Sequence, residues 1–141
     1  MAGFKRYSGP DLANETRTID SVAVAQGDLM MADRTTGTVV AATNAGTVTL
    51  MHGGGIAAKA VASGATELEI TPIDLNTVYE VESTNVSNAS HRYMRMEVTD
   101  TNTVNNSGTD DGTNGVVYQV GELGTVGTDS RILVKFLPGL T

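Results

Sequence analysis

At 141 residues, with 40% hydrophobic side chains but only 4% aromatic ones, the chain suffices for one domain or two small lobes with an aliphatic interior. A net charge of −7 repels a phosphate backbone, and no Lys/Arg cluster interleaved with aromatics offsets that field, so nucleic-acid binding is not expected; the lack of cysteine rules out disulfides and thiolate zinc sites. No apolar run approaches the roughly 20 residues of a membrane helix, and the opening MAGFKRYSGPDLANETR has no apolar signal core, so synthesis in the cytoplasm without a membrane partner is expected.

Residues 1–20 show neither helical nor strand periodicity. Gly3, Gly9 and Pro10 separate the isolated apolar groups Phe4, Tyr7 and Leu12, which reads as an extended N-terminal arm. Lys5, Arg6 and Arg17 balance Asp11, Glu15 and Asp20 there, so the rest of the chain carries all of the negative charge.

From Ser21 the pattern changes to short Val- and Thr-rich runs punctuated by Gly. This is the rhythm of an all-β protein, a small antiparallel β-sandwich or barrel built as one body or as two β lobes. The first lobe, 21–76, reads as a hairpin meander with strands near 20–25, 28–33, 38–42 and 47–51, turned by Asp33 to Gly37 and by Asn44 to Gly46. Ile56 to Val61 fits a strand or a helical turn. Over 67–70, alternation sends Leu68 and Ile70 inward and both glutamates outward until Pro72 ends the run.

The second lobe, 77–141, offers strands at 78–83, 92–98, 115–123 and 131–139. Met94, Met96 and Val98 share one face of the second, and Ile132, Val134 and Phe136 share one face of the last, as in an antiparallel sheet wetted on its other side. Between them, 99–115 is dense in Asn, Asp, Thr and Gly and reads as a long exposed loop or polar hairpin.

Catalytic patterns are incomplete. His52-Gly53-Gly54-Gly55 matches the glycine run of some esterase oxyanion holes, but no Gly-x-Ser-x-Gly elbow accompanies it, so the glycines read as a turn or a close backbone approach. His52 and His91 lack the spacing of a helical zinc pair. Asp100, Asn105, Asn106, Asp110 and Asp111 are oxygen donors of the kind calcium takes. Aligning Asp111-Gly112 on a hand-type calcium loop nevertheless puts Tyr118 where the bidentate Glu belongs, so a solvated turn is the better reading. No enzyme, metal or cofactor is expected.

The order of segments resembles small bacteriophage head decoration, or cement, proteins. Gly27-Asp28-Leu29 leads through Gly37-Thr38-Val39-Val40-Ala41-Ala42 to Gly55-Ile56-Ala57. Ile70-Thr71-Pro72-Ile73-Asp74 then precedes Val78-Tyr79-Glu80-Val81, and Arg131-Ile132-Leu133-Val134-Lys135-Phe136 closes the pattern. The resemblance implies a structural virion protein on the outer capsid surface that bridges major capsid protein subunits, associates with itself as a trimer or dimer, and has no catalytic residues. It further implies an arm laid on the shell through Phe4, Lys5, Arg6, Tyr7 and Leu12. Competing expectations are another virion subunit, such as tail tube, neck or head fibre, or a glycan-binding β module, the latter weakened by the absence of Trp.

Overall fold

A computed structural model describes residues 3–42 and 53–137. Eleven strands are described in chain order: β1 (Lys5–Ser8), β2 (Glu15–Thr18), β3 (Leu29–Asp33), β4 (Thr38–Ala41), β5 (Gly55–Ala57), β6 (Glu67–Pro72), β7 (Val78–Ser83), β8 (Arg95–Met96), β9 (Thr103–Val104), β10 (Val117–Glu122) and β11 (Arg131–Phe136). They form two open sheets, one ordered β1-β7-β11-β10-β8 with β9 beside β7, the other β2-β6-β5-β3-β4. All ladders are antiparallel except the two-residue pairing of β9 with β7. The chain is therefore an all-β protein of small β-sandwich type.

Side-chain alternation builds two cores. Tyr79, Val81, Ile132, Val134, Phe136, Val117 and Met96 of the first sheet pack with Leu29 and Ile56 of the second. Met30, Ala57, Leu68, Ile70, Val39 and Ile19 form the other cluster, on the opposite face of the second sheet. In β3 the neighbours Leu29 and Met30 thus point to different cores, as do Ile56 and Ala57 in β5. Both strands are walled on both faces, which is why their sequences, Leu-Met-Met-Ala and Gly-Ile-Ala, are continuously apolar. The second sheet curls toward its own core, and a parallel bridge between Ile19 and Val39 ties its edges without closing it.

The glycine run fits this wall. A Cβ on Gly54 would overlap the Met30 carbonyl and one on Gly55 the Thr71 carbonyl and the Ile70 side chain, so close backbone approach sets the residue type. Gly53 accepts a hydrogen bond on its carbonyl from Arg17 Nε at 3.1 Å, while His52 lies outside the described residues.

Several strand expectations need correction. Residues 20–25 hold only a bridge from Val24 to Val61, because Ser21 sits at φ 57 and breaks the extended run. The run expected over 92–98 shrinks to Arg95–Met96: a 3-10 turn occupies Ala89–His91 and Tyr93 takes φ 68. Of the two readings of 99–115, the hairpin holds at its start, where Val98 bridges Val104 antiparallel and the Thr99 N–H donates to the Thr103 carbonyl. The stretch is not an exposed loop, since Val104 and Asn106 are fully buried and β9 joins the first sheet. The strand expected at 47–51 lies outside the described residues.

Residues 3–18 are extended, as expected of an N-terminal arm, but they lie on the body: β1 is an edge of the first sheet and β2 an edge of the second. Phe4 is buried, its ring centroid 5.5 Å from that of Phe136, which in turn meets Tyr79 edge-on at 5.2 Å. In a chain this poor in aromatics, the trio is the bulkiest part of the core. Replacing Phe4 with Ala is expected to destabilise the fold by about 3 kcal/mol through lost burial and the cavity left behind, read as a lowered urea midpoint with an unchanged slope.

Candidate functional site: an N-terminal edge and its cleft

The segment 9–14 crosses from β1 to β2 and roofs a cleft of about 280 Å³ between the two sheets. Phe4, Lys5, Arg6 and Leu12 line it, with Tyr79 and Ile56 on the floor side. The roof is pinned by polar contacts. Thr77 Oγ1 donates to the Pro10 carbonyl at 2.9 Å, Asn14 Nδ2 to Glu69 Oε1 at 3.0 Å, and Thr71 Oγ1 to Asn14 Oδ1 at 2.8 Å. The Asn14 amide, joined by Lys59, holds the Glu69 carboxyl below its ordinary range. Burial pushes the Tyr79 phenol up, although its oxygen accepts the Asp74 N–H at 3.2 Å.

Four of the five residues expected to contact a partner therefore share one cleft, and the fifth, Tyr7, stands on the adjoining outer edge, 53% exposed. Phe4 departs from the expectation: as a core residue it offers no contact surface, and its role is to fasten the segment. Lys5 Nζ lies 3.9 Å from Glu80, and Arg6 reaches Asp11 at 3.7 Å and donates to the Gly9 carbonyl at 3.1 Å. These exposed pairs are weak enough to re-form with a partner's carboxylates. Leu12 is 38% exposed on the roof.

A second surface was not foreseen from sequence. Tyr93, 74% exposed, sits on a left-handed backbone, and its N–H donates to the Gln119 carbonyl at 2.7 Å. Beside it Arg92 makes a two-pronged contact at 2.8 Å to Glu122, whose side chain is almost wholly enclosed; this pairing holds the Glu122 carboxyl below its ordinary range against the opposing effect of burial. Hydrogen bonds from Gly127 N–H to the Ser87 carbonyl and from Ser87 N–H to the Asp129 carbonyl bring together the loops that carry the exposed Val86 and Val126.

The oxygen donors of 99–115 are engaged internally. Asp110 clamps Arg95 through side-chain contacts of 2.6 and 3.0 Å and accepts its backbone N–H at 2.8 Å. Asp111 accepts the N–H groups of Thr113 and Asn114, Asp100 that of Asn102, and Asn106 contacts His91 Nδ1 at 2.6 Å. Among the described residues no three His, Asp or Glu side chains converge as a metal site. Comparison of the chain with protein-family models, curated proteins and solved structures returned no match.

The Arg95 side chain, with its backbone N–H, lowers the Asp110 carboxyl from 3.8 to about 2. The folded value lies below the unfolded one, so this clamp supports the loop above about pH 4 and is lost as the pH falls through about 2. A carboxyl-detected NMR titration is expected to place the Asp110 midpoint near that value, and Arg95→Gln to return it toward the ordinary range. At Tyr93 the strain is conformational: Tyr93→Gly is expected to raise stability by about 1 kcal/mol and Tyr93→Ala to leave it nearly unchanged, because only Gly takes a positive φ freely; thermal unfolding of the pair checks this.

Proposed function

We propose that this chain is a structural virion protein that binds the outer surface of a phage capsid and stabilises it by bridging major capsid protein subunits. The observation that carries this reading is the N-terminal segment: one stretch supplies an edge strand to each sheet and displays Lys5, Arg6, Tyr7 and Leu12 along it. Among the described strands β1 pairs only with β7, so its other side presents backbone N–H and C=O groups to whatever lies alongside. An exposed aromatic with basic neighbours beside such an edge supplies apolar area and direction together. The order of segments that resembles head decoration proteins supports the same reading.

Many such contacts repeated around a closed shell add up without any single strong one, which suits a surface made of one strand edge and a few side chains. The net charge of −7 favours solubility of the free protein.

The test is cosedimentation of the full chain with undecorated shells of the cognate capsid protein. Deleting residues 1–20 would strip an edge from each sheet and remove Phe4, so point variants are the cleaner probe. The unmodified chain is expected to pellet with the shells, and Tyr7→Ala/Leu12→Ala, which touches no fully buried group, to bind at least roughly tenfold more weakly while keeping its circular dichroism. A full chain that stays in the supernatant sinks the capsid reading; undiminished binding by the double variant moves the contact off the N-terminal edge.

A further inference from the structure

We propose that the segment 3–20 exchanges between two copies of this chain, each copy's segment occupying the other's cleft and sheet edges, with Ser21 as the hinge. This is a property of the free chain in solution and holds whether or not a capsid is its partner.

The attachment of the segment is of the kind that exchanges. Between Lys5 and Thr18 no residue is buried; what fixes the stretch are two plugs, Phe4 and Ile19, and two edge ladders. Every partner in those ladders lies beyond the hinge: Val78, Tyr79 and Glu80 for β1, and Glu67 to Ile70 for β2. The partners of the crossover, Glu69, Thr71 and Thr77, lie beyond it as well. A second copy offers the same groups in the same places, so the contacts survive exchange and only association entropy opposes it. The cleft beneath the crossover leaves 9–14 little packed from below, so what detachment must withdraw from the interior is confined to the two plugs, Phe4 and Ile19.

The hinge carries the second observation. Ser21 is one of only two described non-glycine residues at positive φ, at 57°, directly after the segment and before the body begins. Pairing keeps one register across Ser21, from Thr18 opposite Glu67 to Val24 opposite Val61, so the left-handed residue is a local break in an otherwise extended run. Gly64 N–H and Ser63 Oγ hold the Ser21 carbonyl at 3.0 and 3.4 Å. An L-residue pays for that conformation, and an opened hinge lets Ser21 return to the extended region. Closed monomer and exchanged dimer therefore share their contacts and differ mainly at this residue.

The chain has no cysteine, which makes a crosslinking test clean. Lys5 and Glu80 face each other across β1 and β7, at the separation a cross-strand disulfide spans. Full-length Lys5→Cys and Glu80→Cys variants, prepared separately, are unfolded in urea, mixed, refolded at high concentration and oxidised. Expected is a disulfide-linked pair of unlike chains on a non-reducing gel, absent when Glu67→Cys, whose partner is Thr18, replaces Glu80→Cys. Light scattering should show a dimer. Ser21→Gly, which removes the cost of the closed hinge, should lower the dimer-to-monomer ratio roughly tenfold per hinge. The double variant Lys5→Cys/Glu80→Cys, refolded dilute, shows that the pair forms its bond within one chain. If it does, and the mixed single variants give no heterodimer, exchange is overturned, whether the protein is then a monomer or a dimer through some other face. A heterodimer whose abundance is indifferent to Ser21→Gly overturns Ser21 as the hinge.

Discussion

The molecule rests on a wall that is buried on both sides. Leu29 and Ile56 face one core, Met30 and Ala57 the other, and these four residues on two adjacent strands couple clusters that would each be too small to stand alone. Because the wall is shared, neither core is independent: a change in the register of β3 by one residue would exchange Leu29 with Met30 and mis-set both at once. The close backbone approach at Gly54 and Gly55 follows from the same crowding, since a strand packed on both faces and flanked by neighbours has little room for a Cβ.

Around that wall the N-terminal segment works as a strap. It contributes an edge to each sheet, a plug to each core, and a polar roof over the cleft between them. Its buried side chains hold it down while its exposed ones stay available, a division of labour that lets one short stretch be both structural and a surface for recognition. Its charges balance, Lys5, Arg6 and Arg17 against Asp11, Glu15 and Asp20, within a chain that is otherwise acidic.

Much of this was legible in the sequence wherever one face of a strand is wet. Leu68 and Ile70, or Ile132, Val134 and Phe136, alternate with polar neighbours and end up buried as the period demands. The all-β class followed from composition and glycine rhythm. Legibility fails where period-2 logic does not apply. β3 from Leu29 to Ala32 and β5 are continuously apolar, so their two-sidedness is invisible without the fold. β1 and β2 are edge strands with nearly every side chain exposed, so Lys5–Ser8 and Glu15–Thr18 carry no alternation at all. The run through Met94, Met96 and Val98 suggests a strand that Tyr93 interrupts by its backbone angle, which no hydropathy pattern records. For the site, the apolar and basic residues of the segment were noticeable as types; that Phe4 is an anchor while Tyr7 is a display residue depends on where Phe136 lies.

Phe4 and Phe136 come from positions separated by most of the sequence, and their stacking has a bearing on how the protein is born. The slot for Phe4 does not exist until β11 has left the ribosome, so the first strand to be synthesised is among the last to be seated. Long-range closure of this kind is slow and carries its entropic cost before any reward. During translation the N-terminal segment waits for its partners, and a polypeptide that stops short of β11 offers it β6 and β7 but not the Phe136 ring on which Phe4 stacks. Completion of the chain is thereby built into completion of the fold, and in a crowded nascent pool the waiting segment meets other chains' slots before its own is finished.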